Sequence, residues 1–523
     1  PWLPPLPDVL TWTRPPAPGP ELSPVEYGVV DLPAQQSRVP LTFDLSRAGH
    51  MHVIGSPRSG RTQTLRTLAA ALTAAYSADD LHLYGLDCGN GGLNVLAGLP
   101  HTGAIVDRNQ VERLGRLLDR LNAELTARQS ALGARGAADL TELRRSQAPE
   151  ERLAHIVLLV DRFEVFDREF VNYDNGSFLE RMVRLLRDGA GVGIHVVLAG
   201  DKVLGSGRYS GTTEDKLVLR LNDRQDYSTV GVPTKSAPVD PEPGRAMRTQ
   251  DLSEVQIAVL DGELSGAGQA QVLQTLGEEL AKREAAVPAA RRARRLDVLP
   301  DTVSYAQAWD LHLSRGPMRP LVAVGGDTLT SLGPDLTEVP SFVIAGPPRT
   351  GRSTALMTAA ESLLASGAGL VVIAPRRSPL RALEGRPGVA AVFTDPDVGV
   401  GEFRAVLGDI PEPSAVILID DAELLMGSEI DPDLAAFARG AQGNGWGLLA
   451  AGNAESLALS LAGWMGQVKR NRTGMLLSPQ GLSDGEIIGV KLSRGNVGQA
   501  PQPGRGLLHL GDGSLLTVQV PIG

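Results

Sequence analysis

Two apolar runs, each breaking into a glycine-rich turn and then a helical pattern, organise this chain. The first is His52-Val-Ile54, which enters Gly55-Ser-Pro-Arg-Ser-Gly-Arg-Thr62. The second is Phe342-Val-Ile-Ala345, which enters Gly346-Pro-Pro-Arg-Thr-Gly-Arg-Ser353. A short apolar run bounded by turn residues predicts a buried strand. Behind each turn, residues 65–76 and 355–365 carry amphipathic helical patterns. Two further apolar runs, Ile156–Asp161 and Val416–Asp420, end in an acid. Leu114, Leu117, Leu118, Leu121 and Leu125 recur at helical spacing and predict a long amphipathic helix within 111–152, with a polar tail. A partner-binding helix is the alternative reading of that stretch.

These landmarks recur in order, so the chain is an internal duplication. An Asp-Leu pair (Asp44-Leu45; Asp335-Leu336) opens each approach, and Pro-Gly-Arg (Pro243–Arg245; Pro503–Arg505) closes each copy. The spans from strand-end Asp to that glycine are nearly equal. The span between glycine-rich turn and strand-end Asp is longer in the first copy, and the surplus falls around 111–152. The expected domains are 1–290 and 291–523. The charged stretch at 281–300, with its arginine cluster, reads as a solvated helix end or linker, or as a site for an acidic partner. The proline-rich opening, Pro1 to Pro20, reads as extended.

Gly-x4-Gly-Lys-[Ser/Thr] between strand and helix builds a phosphate cradle from backbone N–H groups and the helix N-terminus. Both turns match at every defined position except lysine, which Arg61 and Arg352 replace. The fold class expected is therefore α/β, as tandem P-loop NTPase domains, each a mostly parallel sheet flanked by helices. The candidate ATP-binding residues are Gly55, Ser56, Pro57, Arg58, Ser59, Gly60, Arg61, Thr62 and Gln63 in the first copy. In the second they are Gly346, Pro347, Pro348, Arg349, Thr350, Gly351, Arg352, Ser353 and Thr354. Thr62 with Asp161, and Ser353 with Asp420, are the candidate Mg²⁺ ligands. An acid beside the strand-end Asp would position or deprotonate the attacking water; its loss costs about 10²–10⁴ in rate. Arg162 holds that place in the first copy, with Glu164 nearby but out of phase. Asp421 holds it in the second and is the candidate catalytic residue. Arginine stays cationic and pairs well with phosphate, but its planar fork does not simply replace an ammonium. Two readings stay open: at least one site binds nucleotide with slow or absent hydrolysis, or both are relics that keep the fold.

Composition narrows the partners. Net charge is −10, which argues against a broad grip on nucleic acid. A single cysteine, Cys88, excludes an internal disulfide and reads as a plain, partly buried thiol. No apolar run is long enough to span a bilayer. The chain begins at Pro1, so a longer parent protein is expected.

Gly193-Ile-His195, leading to Ala199, resembles the Gly-Ile-His strand of the FtsK/SpoIIIE motors. Pro1-Trp-Leu-Pro-Pro-Leu-Pro7, Val30-Asp-Leu-Pro-Ala34, Leu86-Asp-Cys-Gly-Asn-Gly-Gly-Leu93, Leu99-Pro-His101 and Pro243-Gly-Arg245 are similar to the EccC-type ATPases of type VII secretion. The likeness covers nearly the whole chain and fits the second and third ATPase modules of that family. It implies RecA/FtsK-like domains that regulate an upstream hydrolytic module and recruit small helical WXG-type substrates by a C-terminal signal. It also implies contact with other secretion components, self-association into a hexamer, and a place at the cytoplasmic face of the cell membrane, anchored outside this chain. A DNA-translocating motor fragment and a structural scaffold with dead nucleotide sites are the alternatives. The departures are the lost lysines and the strand ends Ala199-Gly-Asp201 and Ala451-Gly-Asn453 where the motors carry Thr-Gln. An arginine finger has no clear counterpart: Ala190 holds the place, with Arg187 and Arg439 near the two candidate positions. His195, on a strand expected to be buried, reads as a hydrogen-bonded core residue.

Overall fold

Strands that are apolar at every position need cover on both faces, and parallel strands between helices provide it. His155–Asp161 and Ile194–Gly200 are buried throughout. The computed structural model describes residues 3–16, 22–47, 49–411, 413–440, 445–498 and 502–523. Within the proline-rich opening, Pro1, Trp2 and residues 17–20 lie outside the described residues. The chain divides into two compact units, Pro1–Leu296 and Asp297–Gly523.

In the first unit the strands are β1 (Val25–Leu32), β2 (Ser37–Phe43), β3 (Met51–Ile54), β4 (Leu81–Asp87) and β5 (Thr102–Asp107). They continue as β6 (His155–Asp161), β7 (Ile194–Gly200), β8 (Lys216–Val218), β9 (Arg245–Arg248) and β10 (Glu254–Ile257). They form one sheet in the order β2-β1-β10-β9-β8-β3-β7-β6-β4-β5. From β8 to β5 every pairing is parallel; β9, β10, β1 and β2 extend the β8 edge antiparallel. Helices Arg61–Ala75 and Gly266–Arg283 cover one face. Helices Val111–Arg135, Phe163–Phe170 and Ser177–Asp188 cover the other.

The second unit repeats this plan with β11 (Ala323–Gly325), β12 (Thr330–Leu332), β13 (Ser341–Ala345), β14 (Gly369–Ile373) and β15 (Val389–Phe393). Its remaining strands are β16 (Ala415–Ile419), β17 (Trp446–Gly452), β18 (Gly474–Leu477), β19 (Arg505–His509) and β20 (Leu516–Gln519). The order β12-β11-β20-β19-β18-β13-β17-β16-β14-β15 matches the first sheet strand for strand. Helix Arg352–Ala365 covers one face; Val400–Gly408, Asp431–Ala438 and Gly463–Arg470 cover the other.

The surplus in the first copy is core structure. Leu114, Leu117, Leu118, Leu121 and Leu125 are all buried on helix Val111–Arg135, which ends at Gly136 with φ +65°. Asp139 then caps a short second helix, Leu140–Ser146. The charged stretch is a helix end and linker, with Arg294 and Arg295 exposed, but several of its arginines are tied down. Arg283 donates to the carbonyls of Thr73, Ala74 and Tyr76 at the end of the first P-loop helix. Arg291 pairs with Asp79, and Leu296 is fully buried. Carbonyls left open at a helix C-terminus accept donors from cationic side chains, which explains why the cluster is tied down. No helix among the described residues is long and apolar enough to cross a membrane.

Candidate functional site

The parallel strands of each sheet run in one direction, so their carboxyl ends share an edge, where open α/β sheets hold ligands. In the first unit β3 ends there in the loop 55–60 and β6 ends there in Asp161. The loop is anchored from its neighbours: Gly55 N–H donates to Gly200 O (2.9 Å), Ser56 N–H to Arg220 O (2.8 Å), and Asn222 N–H to Ser56 Oγ (2.9 Å). Gly60 closes the loop at φ +109° and is the N-cap of helix Arg61–Ala75, with no side chain capping it. The helix therefore presents open N–H groups into the loop, an arrangement that suits phosphate. Ser59 Oγ is buried there without a hydrogen-bond partner. These features fit a nucleotide's phosphates.

Thr62 Oγ1 donates to Asp161 Oδ2 at 2.7 Å. β4 pairs with β6 so that Asp87 lies directly beside Asp161. Asp87 accepts from Gly89 and Leu93 N–H (2.8 and 2.7 Å), folding the 88–93 loop over the site. That loop lies close enough for a Cβ on Gly92 to meet Thr62 Cγ2 at 2.7 Å. Burial raises the pKa of Asp161; the Thr62 hydrogen bond opposes the shift, and the Asp87 charge adds to it. A hydroxyl and a carboxylate are hard oxygen donors that fit Mg²⁺ shared with phosphates.

Arg61 is engaged by an acid of helix Phe163–Phe170. Its Nη1 and Nη2 donate to Glu164 Oε2 and Oε1 at 3.3 and 3.2 Å, a two-pronged ion pair with Arg61 only 6% exposed. Glu164 is not out of phase after all. Arg162 takes a left-handed conformation (φ 55°), which ends the strand and starts helix Phe163–Phe170, bringing Glu164 under the end of β7. A Cβ at Gly200 would lie 3.4 Å from the Glu164 carboxylate. The tighter neighbour of that Cβ is Leu204, at 2.9 Å, so the glycine makes room for Leu204 first. Asp201 and Asn453, at the following position, serve as helix caps.

The second unit keeps the frame and changes the contacts. Gly351 (φ +107°) caps helix Arg352–Ala365. Arg352 Nη1 donates to Gly346 O (3.3 Å), and Nη2 lies 3.6 Å from Asp421 Oδ1. Arg376 Nη1 stands 3.9 Å from Asp421 and 3.7 Å from Glu423. Glu423 is the counterpart of Glu164, three residues beyond the strand-end Asp; it accepts from Asn453 N–H at 3.1 Å. Asp420 Oδ2 accepts from Ser378 Oγ at 2.7 Å, so Ser378 takes here the part that Thr62 takes in the first unit. Burial raises the pKa of Asp421, helped by Asp420 and Glu423 and opposed by Arg352 and Arg376.

The sheet edge of the first unit thus gathers Thr62 with Asp161 and Arg61 with Glu164, and that of the second gathers Arg352 with Asp421. Sequence reasoning missed the roles of Asp87, Gly92, Arg376, Ser378 and Glu423. Laying one copy over the other would have revealed Glu164 and Glu423 as a shared position. Other singled-out residues sit apart from this chemistry. His195 is buried, 3.0 Å from His155 Nδ1 through Nε2 and 3.1 Å from Gly49 O through Nδ1. His50 and His52 are buried and held neutral, with pKa values lowered to about 4 and about 3 by desolvation. Arg187 pairs with its neighbour Asp188. Cys88 is fully buried, and burial pushes its thiol pKa up.

Residues 23–210 match the FtsK/SpoIIIE family. The chain is 33% identical over 269 residues to the ESX-4 secretion system protein EccC4 of Mycobacterium tuberculosis, covering 50% of this chain and 21% of that protein. It is 29% identical over 345 residues to the ESX secretion system protein EccC of Thermomonospora curvata, covering 63% of this chain and 25% of that one. The chain thus spans only a fifth to a quarter of these relatives. Its fold is that of EssC ATPases 2 and 3 from Geobacillus thermodenitrificans, with a TM-score of 0.74, 21% identity, and 99% and 100% of the two chains covered. EccC ATPases 2 and 3 of T. curvata, solved in complex with a signal sequence peptide, match with a TM-score of 0.62 at 23% identity, covering 100% of both chains.

Proposed function

For a chain that belongs, through residues 23–210, to the FtsK/SpoIIIE family and is a homologue of the EccC and EssC secretion proteins, we propose a regulatory and substrate-recruiting role, with ATP held and hydrolysed weakly or not at all. The observation that carries this reading is the two-pronged Arg61–Glu164 pair. It gives the phosphate-loop cation a resident counter-ion, while Arg162 leaves the first unit without the acid that would activate water. ATP binds along Gly55–Gln63 and Gly346–Thr354, displacing these contacts. Thr62 and Asp161 in the first unit, and Ser353 and Asp420 in the second, would hold Mg²⁺, which would supply charge neutralisation to the phosphates. In the second unit Ser378 first has to release Asp420. Asp421 is the acid we assign to residual hydrolysis; burial raises its pKa.

On this reading the substrates are small helical WXG-type proteins, docked by a C-terminal signal on the second unit. The peptide complex of the T. curvata relative motivates that part. The chain works at the cytoplasmic face of the cell membrane, anchored through a region outside it. Net charge of −10 speaks against the DNA-motor alternative. Two titrations test the proposal. Mg-ATP is expected to bind with turnover far below that of a hydrolytic P-loop enzyme, and a C-terminal signal peptide to bind the whole chain. Rapid turnover would overturn the regulatory part, absence of peptide binding at high concentration the recruiting part, and absence of nucleotide binding would leave a scaffold.

A further inference from the structure

The Pro-Gly-Arg segment that closes each copy touches two things at once. In the first unit Gly244 N–H donates to Ser59 O of the phosphate loop (3.0 Å), and Ile257 N–H returns a bond to Gly244 O (2.9 Å). The approach is so close that a Cβ on Gly60 would meet Gly244 N at 3.0 Å. The next residue, Arg245, reaches the other way. Its Nη2 donates to the carbonyls of Leu6 and Pro7 (2.9 and 3.1 Å), while Nε and Nη1 are fixed by Gln256 and Glu254. Leu6 and Pro7 begin the lead-in that enters the unit and pairs at Thr11 with Val259.

The second unit repeats this without copying every partner. Gly504 N–H donates to Thr350 O (2.9 Å), and Val520 N–H to Gly504 O (2.8 Å). Arg505 Nη2 contacts Pro300 O and Asp301 Oδ1, both at 3.2 Å. That lead-in pairs at Ser304 with Ile522. The correspondence exposes a landmark of the duplication, Leu6-Pro-Asp8 and Leu299-Pro-Asp301. Gly244 and Gly504 sit at φ +84° and +77°, and a Cβ there would meet Gln256 Nε2 at 3.1 Å and Gln519 Nε2 at 2.5 Å. Neither can move independently of the strands behind it.

We propose that this Gly-Arg dipeptide couples the seating of the chain entering each unit to the shape of that unit's phosphate loop. Arg245 and Arg505 act as positioning residues: the arginine grips the lead-in, the adjoining glycine braces the loop, and one rigid peptide joins them. Since Asp301 lies five residues beyond Leu296, the end of the first unit, the second grip falls on the segment that links the units in sequence. The coupling is internal to each unit and does not depend on nucleotide being bound, so it stands or falls apart from the function proposed above.

Hydrogen exchange on the full chain, without nucleotide, tests it in the native protein and in Arg245→Ala, Arg245→Lys and Arg505→Ala. Losing these hydrogen bonds is worth about 1–2 kcal/mol of local stability, or roughly five- to thirtyfold in exchange. Arg245→Ala is expected to speed exchange at 6–12 and also at 58–64, with 349–355 unchanged. Arg505→Ala should do the reverse, speeding 299–305 and 349–355 only. Arg245→Lys, which keeps the charge and loses the fork, should fall between. Exchange within β6 reports unfolding of the first unit; if Arg245→Ala accelerates it, the lysine variant decides. A lead-in that loosens while its phosphate loop keeps the native rate overturns the proposal. So does a variant in which neither segment changes.

Discussion

Replacing Glu164 by Gln removes the charge that holds Arg61 while keeping the shape of the side chain. At 3.2 Å and an effective dielectric near 20, the gross attraction is about 5 kcal/mol. Desolvation of both partners offsets much of it, and breaking a buried pair costs about 3–5 kcal/mol because a charge is left stranded. Glu164 is 21% exposed, so water screens part of the pair; about 2–3 kcal/mol is a fair expectation. This penalty falls on the nucleotide-free form. When phosphate becomes the counter-ion of Arg61, the stranded charge is paired again. Glu164→Gln should therefore lower the unfolding free energy of the free protein by about 2–3 kcal/mol and tighten ATP binding by a factor of roughly 30 to 150. The assays are urea unfolding without nucleotide and equilibrium titration with a fluorescent ATP analogue. Affinity unchanged within about twofold, or weaker, would refute the idea that Glu164 competes with phosphate. Unchanged affinity with reduced turnover would make Glu164 a base instead. In the second unit Arg352 stands 3.6 Å from Asp421 and also meets Gly346 O, so Asp421→Asn should shift affinity less.

Gly60→Ala places a side chain at φ +109° against Gly244; a loss of about 1–3 kcal/mol in unfolding free energy is expected from urea titration. Gly92→Ala drives a methyl group into Thr62, so Mg²⁺-dependent nucleotide affinity should fall severalfold while circular dichroism stays native. Asp161 has a raised pKa in the folded state, chiefly through burial, so the fold prefers its protonated form. Its contribution is fully favourable below the ordinary carboxylate range near 4 and is lost as pH rises through the folded value. Asp161→Asn without Mg²⁺ should therefore be the more stable protein at pH 8, with its advantage shrinking toward pH 4 in parallel urea titrations.

The sequence exposed those features whose cause is local. Apolar runs covered on both faces, glycine at the loop ends, and leucines at helical spacing on 111–135 each announce themselves within a dozen residues. The antiparallel extension β9-β10-β1-β2 was hidden, because its strands come from opposite ends of the unit and pair across more than two hundred residues. Arginines 283, 291 and 292 looked like a charged run because most of their acceptors are main-chain carbonyls, which carry no letter in the sequence; Asp79 and Glu284 add carboxylates. Glu164 looked misplaced for a related reason. A strand reading assumes alternation continues, and the left-handed Arg162 breaks it.

That turn also explains how the two sites could diverge without losing the frame. Arg162 and Asp421 both adopt the left-handed conformation, at φ 55° and 52°, and both launch a helix whose early glutamate lies under the glycine end of the neighbouring strand. The backbone path is the same, so the residue at the turn is released from any folding constraint beyond tolerating positive φ. In the first unit it has become a cation, and the phosphate-loop arginine takes its counter-charge from Glu164. In the second it has stayed an acid, and Arg352 shares Asp421 with Arg376, whose other contact is Glu423. An Arg162→Asp, Glu164→Gln double variant should therefore move the Arg61 contact toward residue 162 and give the first loop the behaviour of the second, read as nucleotide affinity between those of the native protein and the Glu164→Gln variant. If instead the double variant binds nucleotide as the single one does, the turn position does not govern the loop cation, and the two sites differ for reasons elsewhere.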